Sequence, residues 1–147
     1  MTLVEGVLAA QAMASGIMCG VIWFVQLVHY PLFDRASPED APAYALENQR
    51  RTGSVVIPPM LVEGLTAAVV AVRPPSGVGV FPAVAGLAMV LALWLSTAAV
   101  QMPLHARLAR EGHSHETVAA LVRTNWFRTI LWTARACLAV WMLGRAT

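Results

Sequence analysis

Long stretches without charged side chains are the feature that most constrains the fold of this chain. Residues 6–33 and 74–106 contain no Asp, Glu, Lys or Arg, while residues 52–72 contain one such residue and residues 124–144 contain two. Each stretch can form an apolar helix of about 20 residues, the length that crosses a bilayer. The composition, 58% apolar and 12% charged, excludes a disordered chain, a nucleic-acid-binding protein and an ordinary soluble enzyme.

These stretches predict an all-α, integral membrane four-helix bundle, with residues 1–147 forming a single transmembrane domain. The spans are expected at about 4–33, 52–72, 78–102 and 123–144. Six arginines lie in the connections 34–51 and 102–123, against Arg73 and Arg145 at the opposite end. Because arginine and lysine accumulate in cytoplasmic loops, this asymmetry places both connections in the cytoplasm and both termini outside.

Two short patterns recur at an offset of 72 residues. The segment 31–35 reads Pro-Leu-Phe-Asp-Arg and the segment 103–107 reads Pro-Leu-His-Ala-Arg, while 51–52 and 123–124 both read Arg-Thr. Twice this offset is nearly the whole chain. The pattern therefore predicts two tandem helical hairpins, related by a pseudo-two-fold axis along the membrane normal.

The same offset pairs the two most deeply placed charges. Adding 72 to the number of Glu63 gives Arg135, so the repeat puts an acid and a base at equal depth in the bundle. An unpaired charge at that depth costs several kcal/mol. We therefore expect a structural ion pair between Glu63 and Arg135.

Polar residues at helical spacing predict a site near the cytoplasmic end of the bundle. We interpret His29 as a general base, and Arg128 with Asn125 as groups that stabilise negative charge on a substrate. The residues expected to contact the substrate are Gln26, Gln101 and Trp132.

Other interpretations of the same residues stay open. Helices of a bundle can supply a metal site, here from His29, His105, Glu47 and Glu63, for iron or copper. A b-type haem between His29 and His105 is a further alternative, and a purely structural role for the histidines is another. The sequence leaves the cofactor unassigned.

Three segments carry a family resemblance: His29-Tyr30-Pro31, residues 56–63, and residues 123–129, which include Asn125-x-x-Arg128. They resemble a group of small four-span bacterial membrane proteins, and the size and span count are similar to the anthrone-oxygenase-like family. Members of that family with an assigned activity oxidise polycyclic anthrones to quinones with O2. The resemblance implies a bacterial inner-membrane location and an oxidation of a hydrophobic small molecule.

We therefore expect a membrane-embedded, oxidoreductase or oxygenase-like protein that binds a hydrophobic small molecule or a metal. The alternative is a non-catalytic accessory subunit of a larger respiratory or photosynthetic membrane complex, and the third is a transporter formed by a homo-oligomer. The expected surroundings are the lipid bilayer, and no nucleic-acid partner is expected.

Overall fold

A computed structural model describes residues 2–35, 39–112 and 114–146, and it forms four helices over these ranges. Their bounds are α1 Leu3–Arg35, α2 Ala41–Val72, α3 Val80–Glu111 and α4 His115–Ala146. The predicted all-α, four-helix architecture is confirmed. By length and composition, α1, α2 and α3 could cross a membrane, whereas α4 carries Arg128 and Arg135, both buried inside the bundle.

The helices pack as a square, with each one touching its two neighbours in the chain order α1, α2, α3, α4 and back to α1. Helices α1 and α3 therefore lie on one diagonal, and α2 and α4 lie on the other. Apolar clusters fill both ends and the middle. Leu8 and Met142 belong to the cluster at the terminal end, and Phe33 and Leu121 belong to the cluster at the opposite end.

The helix ends have clear local causes. At the start of α1, the Thr2 hydroxyl accepts a hydrogen bond from the Glu5 amide and the Glu5 carboxylate accepts one from the Thr2 amide, which is a capping box. Gly79 precedes α3 with φ 80° and Gly112 ends it with φ 78°. Both values lie in the region that glycine adopts without strain.

The two connections between the predicted spans, 34–51 and 102–123, are largely helical where the structure describes them, so the helices continue beyond the predicted spans. Helix α2 begins at Ala41, the eighth residue of the first connection, with a proline in its first turn, where a missing amide hydrogen does no harm. Ion pairs between neighbouring turns support the added helical segments, Glu47 with Arg51 and Arg107 with Glu111.

Two π-helical segments interrupt the otherwise α-helical geometry of α1 and α3. They cover Val25–His29 and Thr97–Gln101. A proline follows each segment closely, Pro31 in α1 and Pro103 in α3. Because proline lacks an amide hydrogen and crowds the preceding turn, a wider π turn relieves both effects. The bulges change which residues of α1 and α3 face the interior.

Candidate functional site

A cavity of about 510 Å³ lies inside the bundle at the end opposite the termini. Its apolar wall comes mainly from α1 and α2, and its polar residues come from all four helices. Met18, Val21, Ile22, Val25, Val56, Ile57, Met60 and Met102 form most of the apolar wall. His29, Tyr30, Asn48, Gln49, Thr52, Thr97, Gln101, His105 and Arg128 supply the polar groups. Its volume lies in the range typical of small-molecule sites.

His29 closes the π segment of α1 and meets α2 across the cavity. Its Nε2 atom lies 2.8 Å from the Asn48 Oδ1 atom, which also accepts a hydrogen bond of 3.2 Å from the Thr52 hydroxyl. Because an amide oxygen only accepts, His29 must donate from Nε2 in this arrangement. The proton is then absent from Nδ1 of the neutral ring, and that nitrogen is the one that can take up a proton.

His105 differs from His29 because other protein groups contact both its ring Nε2 atom and its backbone carbonyl. Its Nε2 atom lies 2.8 Å from the Tyr30 hydroxyl, which Arg128 also contacts. A guanidinium only donates, so the Tyr30 oxygen accepts from Arg128 and its hydroxyl hydrogen points to His105. The His105 backbone carbonyl accepts a 2.9 Å hydrogen bond from Gln49. His105 therefore holds Tyr30 in place.

Arg128 is a buried cation on the cavity wall, with 8% of its surface exposed. Its Nη1 atom donates to Asn125 Oδ1 at 3.0 Å, and Asn125 in turn donates to Gln26 Oε1 at 3.0 Å. Thr129 also donates to Gln26, at 3.2 Å. Among the described residues no carboxylate forms an ion pair with Arg128, so this chain of amides orients the guanidinium without neutralising it.

Two buried polar atoms on the cavity-lining residues have no hydrogen-bond partner among the described residues. They are Nε of Arg128, a donor, and Oε1 of Gln101, an acceptor. The Gln101 amide nitrogen is occupied, since it donates to the Thr124 hydroxyl at 2.9 Å. A buried polar group without a partner costs about 1–3 kcal/mol. Neither atom presents surface to the cavity in this structure.

The structure brings together part of the predicted site and separates the rest. His29, His105, Gln101 and Arg128 line the cavity. Gln26 and Asn125 lie behind Arg128 and position it. Trp132, predicted to contact substrate, is 1% exposed and packs in the apolar core with Met18, Ile22 and Leu93.

The four residues predicted as metal ligands do not converge. Glu47 lies on the outer side of α2, where Arg50 and Arg51 pair with it at 2.9 and 2.6 Å. Glu63 lies deep in the bundle and pairs with Arg135. Over residues 2–35, 39–112 and 114–146, no three His, Cys, Asp or Glu side chains form a group that could hold a metal ion.

A second buried polar group, which we call the ion-pair cluster, consists of Gln11, Ser15, Glu63 and Arg135. Nε of Arg135 lies 2.7 Å from Oε1 of Glu63, and both side chains are fully buried, so the predicted pair is present. Ser15 donates to the other carboxylate oxygen. With its amide oxygen turned toward these donors, Gln11 accepts from Arg135 Nη2 at 2.7 Å and from the Ala67 amide at 3.1 Å.

Sequence reasoning assigned no chemical role to Tyr30, although it takes part in the site. The signal for Tyr30 was its place between a histidine and a proline, because the π turn before Pro31 rotates it inward.

No protein-family model, curated protein or solved structure matches this chain.

Proposed function

We propose that the chain is an integral membrane protein in which all four helices span the bilayer. Its outer surface is apolar over most of its length. In the most hydrophobic window of α2, 17% of the residues are buried inside the bundle, and large side chains such as Phe81, Leu65 and Leu95 are 84%, 69% and 68% exposed. Lipid is the solvent that suits such a surface. The arginine distribution puts the cavity at the cytoplasmic end.

The proposed duplication into two hairpins has structural support. The π segments begin at residues 25 and 97, an offset of 72. Helices α2 and α4 both have 32 residues and occupy one diagonal of the square. Glu63 and Arg135, on those two helices, meet near the centre, as a two-fold axis along the bundle would require.

Within this bundle, we propose an oxidoreductase activity on a hydrophobic small molecule with an acidic oxygen or carbon. The observation that carries the proposal is Arg128, a buried cation without a carboxylate partner on the wall of a cavity of about 510 Å³. A desolvated cation strongly favours an anion beside it. His29 would accept the proton whose loss creates that anion.

An anion stabilised in this way is more easily oxidised than the neutral molecule. For an anthrone, the substrate class implied by the family resemblance, removal of the ring-carbon proton gives an enolate. The enolate can pass its electrons to O2, and each ketone with one O2 yields a quinone and one water. In this proposal His29 takes the proton and Arg128 holds the oxyanion.

The test is oxygen uptake by the protein in lipid nanodiscs, with dihydroxyanthrone as the probe and the spontaneous rate subtracted. We expect His29→Ala to lower the rate by about 10²–10⁴-fold, the usual contribution of a general base. His115→Ala is the matched control, because His115 is exposed and lies in the first turn of α4. Equal rates for the wild type and His29→Ala, with both proteins folded, would refute the assignment.

The accessory-subunit hypothesis makes a different prediction. Mild extraction from the native membrane would then recover the chain with larger subunits, and no oxygen uptake would follow. A transporter would instead move a labelled probe across sealed vesicles. The same preparation therefore separates the three functions.

A further inference from the structure

A second hollow adjoins the cavity on the outside of the bundle, between α1 and α2. It measures about 390 Å³, and we call it the α1–α2 groove. Its lining is Gly20, Val21, Phe24, Val25, His29, Arg51, Thr52, Val55 and Val56. Five of these nine residues, from Val21 to Val56, also line the cavity. The two hollows therefore share a wall.

The groove opens toward the surroundings of the bundle. Phe24 and Val55 on its rim are 57% and 56% exposed. A glycine stands on each side of the shared wall, Gly20 in α1 and Gly53 in α2. A Cβ atom at Gly20 would meet nothing within 4 Å, and one at Gly53 would meet a single Ile57 methyl group at 3.7 Å. The absence of side chains at these positions leaves open space on both sides of the shared wall.

The direction of the groove is set by the two helices. His29 and Thr52 lie at its polar end, beside Arg51, and Gly20 lies nine residues before His29. At 1.5 Å per residue this is roughly 13 Å along the helix axis, a distance that an extended alkyl chain can cover. An occupant whose polar end is at His29 would extend toward the middle of the proposed membrane.

The polar end of the cavity specifies the other half of the occupant. The Arg128 guanidinium is a donor on the cavity wall and the His29 ring offers an acceptor, and a hydroxyl group with a neighbouring oxygen, or a phenolic hydroxyl alone, supplies both kinds of contact. The groove supplies an apolar surface on the other side of the shared wall, and this surface reaches the outside of the bundle.

We propose that the ligand is an amphiphile with a hydrocarbon chain, whose hydroxyl-bearing head fills the cavity and whose chain leaves through the α1–α2 groove into the lipid. This inference rests on the proposed function and narrows its substrate class. A compact polycyclic molecule would fill the cavity and leave the groove to lipid.

Photolabelling in nanodiscs tests the proposal with two probes. One is an octylphenol with a diazirine at the end of its chain, and the other is a phenol with a diazirine on the ring. We expect the chain probe to label residues 20–24 of α1 and 55–56 of α2, and the ring probe to label Met102 or His105. Excess octylphenol should abolish both patterns, and so should Arg128→Met.

Gly20→Trp fills the groove and should abolish labelling by the chain probe at α1 and α2 while ring labelling persists. Gly16→Trp is the matched control, since Gly16 lies one turn away on the same helix face, also has open space, and does not line the groove. Ring labelling with chain labelling elsewhere would overturn this inference and leave the proposed function standing. No competed labelling by either probe would overturn both.

Discussion

The bundle contains two buried arginines on α4, and their surroundings differ. Arg135 sits in the ion-pair cluster, 2.7 Å from the Glu63 carboxylate, and is fully buried. Arg128, two turns nearer the cavity end, meets amide and hydroxyl oxygens and borders a hollow of about 510 Å³. One arginine is neutralised by the protein, while the other keeps its charge available. We infer that Arg135 serves the fold and Arg128 serves a ligand.

The largest effect should come from removing the carboxylate of the ion-pair cluster. Glu63→Gln keeps the shape of the side chain but leaves the Arg135 guanidinium buried without a counter-charge, and arginine does not lose its proton. We expect a loss of about 3–5 kcal/mol in the free energy of unfolding. Unfolding in mixed detergent micelles, followed by circular dichroism, measures it.

A double variant provides the control for this change. Glu63→Gln combined with Arg135→Met removes both charges, so most of the lost stability should return. Arg135→Met alone should cost less than Glu63→Gln, because the remaining carboxyl can take up a proton. An unchanged unfolding free energy in Glu63→Gln would contradict a structural role for the pair.

A single added methyl group should have a smaller effect on stability. It should distinguish the part of α2 that packs tightly against Trp94 from the part that borders the cavity. A Cβ at Gly64 in α2 would lie 2.6 Å from the Trp94 ring, whereas a Cβ at Gly53 of the same helix meets ordinary contact distance. Gly64→Ala should therefore destabilise by about 1–3 kcal/mol through overpacking.

Gly53→Ala is the control, and its better helix propensity should leave stability equal or slightly higher. The measurement is the same detergent unfolding experiment. Equal stability of the two alanine variants would show that Trp94 moves freely, and the contrast between the regions would lose this support.

Sequence reasoning predicted a contact correctly where two charged residues lie at the same depth in the bundle. Glu63 and Arg135 could be paired from the 72-residue offset, because equivalent positions on diagonal helices meet at the axis. It failed for Trp132 and Gln26, which share helix faces with cavity residues. Helical spacing places a side chain inside the bundle, but the interior contains both a packed core and a cavity, and only the packing of all four helices separates them.

The partners inside the site could not be read from spacing for a related reason. The π segments rotate the ends of α1 and α3, so Tyr30 approaches His105 and His29 approaches Asn48. The start of α2 lies eleven residues before the predicted span at 52, because the span was defined by apolar residues alone. Its Glu47–Arg51 spacing was nevertheless a helix signal available in the sequence.

Replacing Arg128 in the cavity wall should change the free energy of unfolding less than Glu63→Gln does, and it should change ligand binding more. Arg128→Met removes hydrogen bonds to Asn125 and Tyr30 but also removes an uncompensated charge, so we expect a change of about 1 kcal/mol in unfolding free energy. Binding of octylphenol, measured by calorimetry in nanodiscs against empty nanodiscs, should be lost. A destabilisation as large as that of Glu63→Gln would show that Arg128, like Arg135, mainly stabilises the fold.

The smallest effect is expected for Glu47. This acid was predicted from sequence as a metal ligand, and it lies outside both the cavity and the ion-pair cluster. Its carboxylate pairs with Arg50 and Arg51, whose side chains are 75% and 77% exposed. Exposed pairs of this kind contribute little, because water and salt already solvate the charges. Glu47→Gln should therefore leave the thermal midpoint, the bound metal per chain and octylphenol binding unchanged, as measured by circular dichroism, elemental analysis and calorimetry. A stoichiometric metal that disappears in Glu47→Gln, and also in His29→Ala, would instead show that α2 rearranges to bring this carboxylate to the cavity. The site beside Arg128 would then contain a metal centre, which the comparison of Arg128 with Arg135 leaves out.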